Sequence, residues 1–398
     1  MTEIQDFGGV IFVVACAGLL AVLSTKLTTR VPIPSPAIFL VTMAVASDLF
    51  PSLGNALSIR DVERIGVVAL ILILFDGGLH VGRRRLEGSL TPVLSLGILG
   101  TLGTAAAVAL AAHVLLGFGW AVSWLLGAAL SPTDPAVVFS ILGRREVEGR
   151  SGTILEAESG VNDPAGIALM LGAVQIVSDQ GTFFGAAVEL VLGLGVGLAF
   201  GVFGGLAIVH LVRRIPLPSP SLYPLLSVAA AGTLYGVTAI AHGSGFLAVF
   251  VAGIVAGDTA FREQTESFHK SLATLAEIVV FVALGLTIDV TAIFHGGIWL
   301  DGVILAAVLV FVVRPLVVGT LLLPVRLRWG ERSFVIWGGV RGAVPILLAT
   351  FPLLEGLDGA TRVYGIVAVA VVLSVVVQGA TVPWVAGRLG VPMREAEA

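Results

Sequence analysis

Between Leu155 and Pro164 the chain reads Leu-Glu-Ala-Glu-Ser-Gly-Val-Asn-Asp-Pro, three carboxylates and an amide inside a stretch otherwise apolar enough to cross a bilayer. Only 12% of the 398 residues are charged. Ionisable side chains are costly in hydrocarbon, so such a cluster marks an ion path or a proton relay. Ser159 and Asp163 are four residues apart, as are Glu158 and Asn162, and residues at that spacing share a helix face. The Ser159/Asp163 face suits an ion, with a hydroxyl oxygen one turn from a carboxylate, while Glu158 and Asn162 turn toward a neighbouring helix. Hard oxygen donors suit an alkali cation. A carboxylate withdrawn from water holds either a proton or a metal ion, so competition for Asp163 is enough to couple two opposite fluxes. One carboxylate exchanging one for one moves no net charge; a second carboxylate in place of Asn162 would permit two protons per cation.

The same chemistry needs supporting elements. Leu130-Ser-Pro-Thr-Asp-Pro135 places two prolines around a polar pair at mid-membrane depth, where a helix must break. Carbonyls freed there, with Ser131, Thr133 and Asp134, can replace the water shell of a cation, and the half-helix dipoles favour charge near the gap. The cation is assigned to Asp163, Ser159 and Thr133. Trp337-Gly-Gly-Val-Arg-Gly-Ala-Val-Pro345 is a second interruption of this kind, and paired broken helices point to a midplane site. Buried Glu158 needs a cation, and Arg314 and Arg341 are the two at depth; Arg314 is assigned to Glu158 and Arg341 to the second break. Asp76 either completes the site or sits at the membrane interface. Glu156 reads as part of a cytoplasmic funnel, and Glu277 and Asp301 as interfacial or paired. His80, His113, His210, His242, His269 and His295 lie in or beside loops with no shared task.

Composition sets the class that must carry these groups. A chain that is 57% hydrophobic, with mean hydropathy +1.04 and 50 glycines, is an all-α polytopic membrane protein. The acidic N-terminus lacks a signal-peptide pattern, so the first apolar run is a retained helix. The single cysteine, Cys16, excludes a disulfide framework and a cysteine metal site. Runs able to span roughly 30 Å of hydrocarbon fall near 8–25, 36–52, 62–79, 92–117, 119–142, 153–177, 182–212, 223–241, 244–260, 270–288, 297–323, 333–354 and 363–386, about thirteen spans. Seventeen of the 22 lysines and arginines then fall in loops on one side, which places the N-terminus outside and the C-terminus in the cytoplasm. Pro34-Ser-Pro-Ala-Ile-Phe-Leu with Ala46-Ser-Asp48 resembles Gly243-Ser-Gly-Phe-Leu with Ala256-Gly-Asp258. Phe75-Asp-Gly-Gly-Leu79 and Leu284-Gly-Leu-Thr-Ile288 follow at similar distances. The offset of seven spans makes these two inverted repeats, near 8–177 and 223–386, joined by the span at 182–212. That linker carries Gly193, Gly197, Gly201 and Gly205 on one face for close packing, against the same chain or a second subunit.

Ser131-Pro-Thr-Asp134, Glu158-Ser-x-x-Asn-Asp163 and Gly338-Gly-Val-Arg-Gly342, in that order, resemble the monovalent cation/proton antiporter-1 family, the NhaP and sodium/proton exchanger group. Trp337 to Leu354 and Val377-Gln-Gly-Ala-Thr-Val-Pro-Trp384 resemble its bacterial potassium/proton branch, linked to cell-volume regulation. The resemblance implies an antiporter fold of the NhaA type with discontinuous crossing helices at spans 5 and 12. It also implies a cytoplasmic (inner) membrane location, and a homodimer in which a six-helix ion-carrying bundle moves against a dimerisation domain. It implies ion ligands at Thr133, Asp134, Ser159, Asn162 and Asp163, a contribution from Asp76 where the family often has glutamate, and a structural Glu158–Arg314 pair. Transported K+ or Na+ and H+ are then the only small partners besides lipid, with no cofactor and no nucleic acid. Residues 1–390 form the exchanger domain and 391–398 a short tail, where potassium-branch members usually continue into a regulatory domain.

Two other classes fit less well. An intramembrane protease would use Gly243-Ser-Gly245 beside His242, or Asp163, but neither nucleophile has its required companion, so the chain is not read as an enzyme. A cation channel or a transport-inactive ion sensor shares the ligands but lacks loops repeated around an axis.

Overall fold

The computed structural model describes residues 34–142, 145–215, 217–219 and 221–395. The first expected span, with Cys16, Lys26 and Arg30, lies outside the described residues. Nearly all of those described are helical. Nine helices are long and apolar enough to cross a membrane and three more are shorter apolar helices, among the described residues.

In chain order the helices are α1 (Ser35–Leu49), α2 (Ile59–Leu86), α3 (Leu90–Leu116), α4 (Trp120–Leu130), α5 (Pro135–Leu142), α6 (Arg150–Val177) and α7 (Phe183–Arg214). There follow α8 (Leu222–Ile240), α9 (Gly245–Ala256), α10 (Ala260–Leu286), α11 (Ile298–Leu321), α12 (Trp329–Trp337), α13 (Ala343–Leu354) and α14 (Ala360–Arg388). Each expected span from the second onward coincides with one helix or, at the two proline- and glycine-rich interruptions, with two. Local chemistry sets many of the starts: Ser58 and Asp61 form a capping box on α2, Thr182 caps α7, and Ser244 caps α9 through the Leu247 N–H. Two helices run well past their apolar windows. α2 continues through Arg83, Arg84 and Arg85 beyond a kink at Gly82 (φ 58°), and α10 begins at Ala260 rather than near 270. Hydropathy sees only the lipid-facing part of such helices; their charged ends stay helical in water.

The helices pack as two bundles. α1, α2 and α7 to α10 form a scaffold, in which α9 lies on α2 and α7, and α10 lies on α1 and α2. α3 to α6 and α11 to α14 form a crossing bundle. Three glycines of the α7 stripe are buried against α9 of the same chain. Cβ atoms at Gly197, Gly201 and Gly205 would stand 2.6, 2.8 and 3.1 Å from the carbonyl oxygens of Ser244, Ala248 and Ala252. Backbones approach that closely only where no side chain intervenes. α6 runs along the boundary between the bundles, touching α3 and α4 on one side and α2 and α7 on the other. A short antiparallel ribbon of β1 (Arg145–Val147) and β2 (Met393–Glu395) joins the segment before α6 to the segment after α14.

Candidate ion site at the helix crossing

Pro132 and Pro135 lack the N–H groups that would carry α4 into α5, and Gly338, Gly339 and Gly342 weaken helix between α12 and α13. The chain unwinds at both places, and the unwound segments meet. The Asp134 N–H donates to the Val340 carbonyl at 2.7 Å. The Asp134 carboxylate accepts from Ala136 N–H at 2.9 Å, which caps α5, and lies against Gly342 at the start of α13. Two half-helices therefore direct their positive ends at one carboxylate. Arg341 does the converse at the ends of α4 and α12: its Nε donates to the Leu130 carbonyl at 3.2 Å and its guanidinium also to the Gly339 carbonyl. Ser374 Oγ holds the Arg341 N–H at 2.9 Å. A Cβ at Gly342 would collide with the Asp134 carboxylate, and one at Gly339 with the Arg314 guanidinium. The glycines of this motif thus make room for charged groups.

The two faces of α6 diverge at the crossing. Glu158 Oε1 and Oε2 accept from Arg314 at 3.1 and 3.3 Å, and Arg314 also reaches the carbonyls of Ile336 and Val335. Both partners are 2% exposed, so this is a fully desolvated bidentate pair linking α6, α11 and α12. Asn162 Nδ2 donates to Thr133 Oγ1 at 2.8 Å, tying α6 to the unwound segment. Neither Asn162 nor Thr133 lines the cavity described next. On the other face Ser159 Oγ lies 3.5 Å from Asp163 Oδ2, and Asp163 Oδ1 is buried with no hydrogen-bond partner among the described residues.

That second face opens into a cavity of about 1110 Å³ between the two bundles. Asp163, Ser159 and Asp134 line it from the crossing bundle, and Asp76 and Glu277 from the scaffold. Its mouth carries Arg84, Arg85, Arg150, Arg262, Lys270 and the carboxylates Glu156 and Glu266. Arg85 approaches Glu156 at 3.7 Å, consistent with a charged funnel. Asp76 lies on this wall, 3.5 Å from His80 Nδ1, and His80 Nε2 is 3.5 Å from Glu266 Oε1. The cavity therefore gives His80 a place in the funnel that the sequence did not reveal. His269, buried within α10, meets Ser227 through Nε2. Asp301 pairs with Arg362 at 2.7 Å, as its position near a span end implied.

Glu277 departs from its expected interfacial or paired setting. It faces the cavity, Oε1 is buried with no hydrogen-bond partner among the described residues, and Asp134 is close enough to act on it electrostatically. A sequence signal for it existed. Arg262, Glu266, Lys270, Thr274, Glu277 and Val280 follow one helical stripe and all line the cavity.

Comparison with known proteins places this geometry in a group. The chain is 34% identical over 377 residues to the K(+)/H(+) antiporter NhaP of Alkalimonas amylolytica, covering 93% of this chain and 65% of that protein. It is 31% identical over 374 residues to the K(+)/H(+) antiporter NhaP2 of Shewanella oneidensis, covering 91% and 63%. It thus spans less than two thirds of the length of these relatives. Among solved structures, the sodium proton antiporter MjNhaP1 of Methanocaldococcus jannaschii at pH 8 superposes with a TM-score of 0.81 at 21% identity, over 98% of this chain and 99% of that one. The sequence profile described as "Sodium/hydrogen exchanger, transmembrane" matches residues 6–388, and the chain belongs to that family.

Proposed function

We propose that this protein is a secondary transporter exchanging a monovalent alkali cation for a proton, by competition of the two at Asp163 with alternating access. One observation carries the reading: a buried carboxylate, with no cationic partner among the described residues, sits at the crossing of two broken helices and faces a water-accessible cavity between two bundles. Asp163 binds the proton or the cation; Ser159 and Asp134 supply further oxygens, and Asp76 extends the acidic wall. Thr133 and Asn162 hold α6 in register with the unwound segment, within reach as ligands if their mutual hydrogen bond opens. Because Asp163 belongs to the crossing bundle, one positive charge travels each way and exchange is electroneutral. The names of the relatives, K(+)/H(+) antiporters, favour K+ over Na+. The Glu158–Arg314 pair and Arg341 serve the architecture of the crossing.

The helix packing supports two inverted repeats within about thirteen spans. α1 on α10 and α2 on α9 are exchanged by the seven-span offset, and α3 on α6 corresponds to α11 on α14. Both α3 and α11 contain a π-helical turn, at Ser95–Gly100 and Leu309–Val313. The basic loops flank the cavity mouth, which the positive-inside rule assigns to the cytoplasm; the N-terminus is then outside, the C-terminus inside, and the site faces inward. α7 and α8 expose Phe183, Phe184, Phe203 and Leu225 to lipid or to the second subunit of a homodimer. Potassium/proton exchange at the inner membrane would serve pH homeostasis and cell-volume regulation.

Reconstitution into liposomes with an internal pH dye tests the reading, with K+ or Na+ outside and the voltage clamped by an ionophore. Cation-driven proton flux, unchanged by the clamp and lost in Asp163→Asn, is the expected result. Ion conduction at channel rates, or no flux from folded protein, would transfer the same ligands to a channel or an ion sensor.

A further inference from the structure

The ion cavity holds a carboxylate, Glu277, to which the exchange reaction assigns no role, and this carboxylate, like Asp76, belongs to the scaffold bundle. Asp163, Asp134 and Glu277 share the cavity wall, and Asp134 acts electrostatically on both of the others. Asp134 is occupied as the cap of α5, through the Ala136 N–H. Glu277 is not occupied in this way. Its Oε1 is buried without a hydrogen-bond partner, and among the described residues no salt bridge reaches it. Of the charged or titratable groups on the elements packed against α10, Asp76, His80, Arg84 and Arg85 of α2 and Asp134 beside the start of α13 line the same cavity, while Arg60, Asp61, Glu63, Arg64 and Arg83 of α2, Tyr223 and Tyr235 of α8 and Asp48 of α1 do not. Arg84 and Arg85 stand at the cavity mouth, and neither forms a salt bridge with Glu277. Lys270, two turns away on α10, stands at the cavity mouth.

α10 is built into the scaffold through α1 and α2, whereas Asp163 and Asp134 belong to the crossing bundle. Alternating access by movement of one bundle against the other then carries Asp163 past Glu277 while Glu277 stays in place. On the reading of the site as a cation/proton exchanger, we propose that Glu277 is a stationary cation-attracting carboxylate, which strengthens cation binding at Asp163 only while the site faces this cavity. A fixed negative charge beside one position of a moving site deepens that position and leaves the other unchanged. The charge on Glu277 is not itself transported, so the exchange ratio does not depend on it.

The test is Glu277→Gln, with Glu277→Asp as the conservative variant. Exchange is followed in everted and in right-side-out membrane vesicles at one fixed, mildly alkaline pH. The expected result is a rise of about tenfold in KM for K+ from the cytoplasmic face, the order expected for one unit charge about 12 Å away at an effective dielectric constant of about 20. KM from the outer face and the insensitivity to voltage are expected to stay at wild-type values, and Glu277→Asp to recover part of the loss. Unchanged KM on both faces, or an equal rise on both, would overturn the proposal, as would exchange that becomes or ceases to be voltage-dependent. Failure of the underlying exchange reading looks different: the wild-type vesicles would then show no cation-linked proton flux sensitive to Asp163→Asn.

Discussion

Burial forces Arg314 and Glu158 into each other's company, since neither charge has water to fall back on. Removing one partner of such a pair costs about 3–5 kcal/mol, because the survivor stays buried and uncompensated. Glu158→Gln is therefore expected to lower the melting temperature and folded yield sharply in detergent. Glu158→Leu combined with Arg314→Met is expected to regain much of the loss by removing both charges; a double variant as unstable as the single one would contradict this electrostatic account. At this scale the sequence was largely readable. A carboxylate in an apolar helix announces itself, and four-residue spacing alone separates the Ser159/Asp163 face from the Glu158/Asn162 face. Glu277 escaped because a single carboxylate a few turns from a helix end has the ordinary reading of an interfacial charge. Only the extension of α10 to Ala260 reveals the polar stripe that leads inward to it. The mutual bond of Asn162 and Thr133 was equally unreadable, since it joins residues 29 positions apart whose meeting depends on the crossing.

Two broken helices are legible from Pro132, Pro135, Gly338, Gly339 and Gly342, but their electrostatic closure is not. Breaking a helix in a membrane leaves backbone groups that water cannot satisfy. Here Asp134 takes the Ala136 N–H donor of α5 beside the start of α13, and Arg341 takes carbonyls at the ends of α4 and α12. The arrangement depends on Gly342, where any Cβ meets the Asp134 carboxylate. Gly342→Ala is expected to displace Asp134, to cost about 1–3 kcal/mol from overpacking, and to reduce exchange at least tenfold in folded protein. Near-normal exchange with normal thermal stability would show that the crossing tolerates a methyl group there. The α7 stripe illustrates the other limit of reading elements from sequence. Four-residue glycine spacing foretells a close helix partner, yet the partner's identity comes only with the fold, as α9 of the same chain.

Across the whole molecule the contacts divide the helices into a scaffold and a crossing bundle, with the cavity along their boundary. That division was not visible in hydropathy, because helices of both bundles are similarly apolar. Transport by relative movement predicts that fastening the bundles together stops it. Gly66 of α2 lies directly against the Leu347 side chain of α13, which makes this the pair at which substituted cysteines are placed to form a disulfide across the boundary. Oxidised Gly66→Cys/Leu347→Cys protein is expected to lose exchange and to regain it on reduction, with each single variant active. Undiminished exchange in fully cross-linked protein would rule out sliding at this boundary. The β1–β2 ribbon belongs wholly to the crossing bundle, for it joins residues just before α6 to residues just after α14. On the proposed alternating-access mechanism its strands would ride with the ion site while the scaffold stays in place. A fluorophore or pulling handle attached beside β2 would then travel with the crossing bundle, making the ribbon a lever arm on which the proposed transport stroke can be watched, or resisted, from outside the membrane.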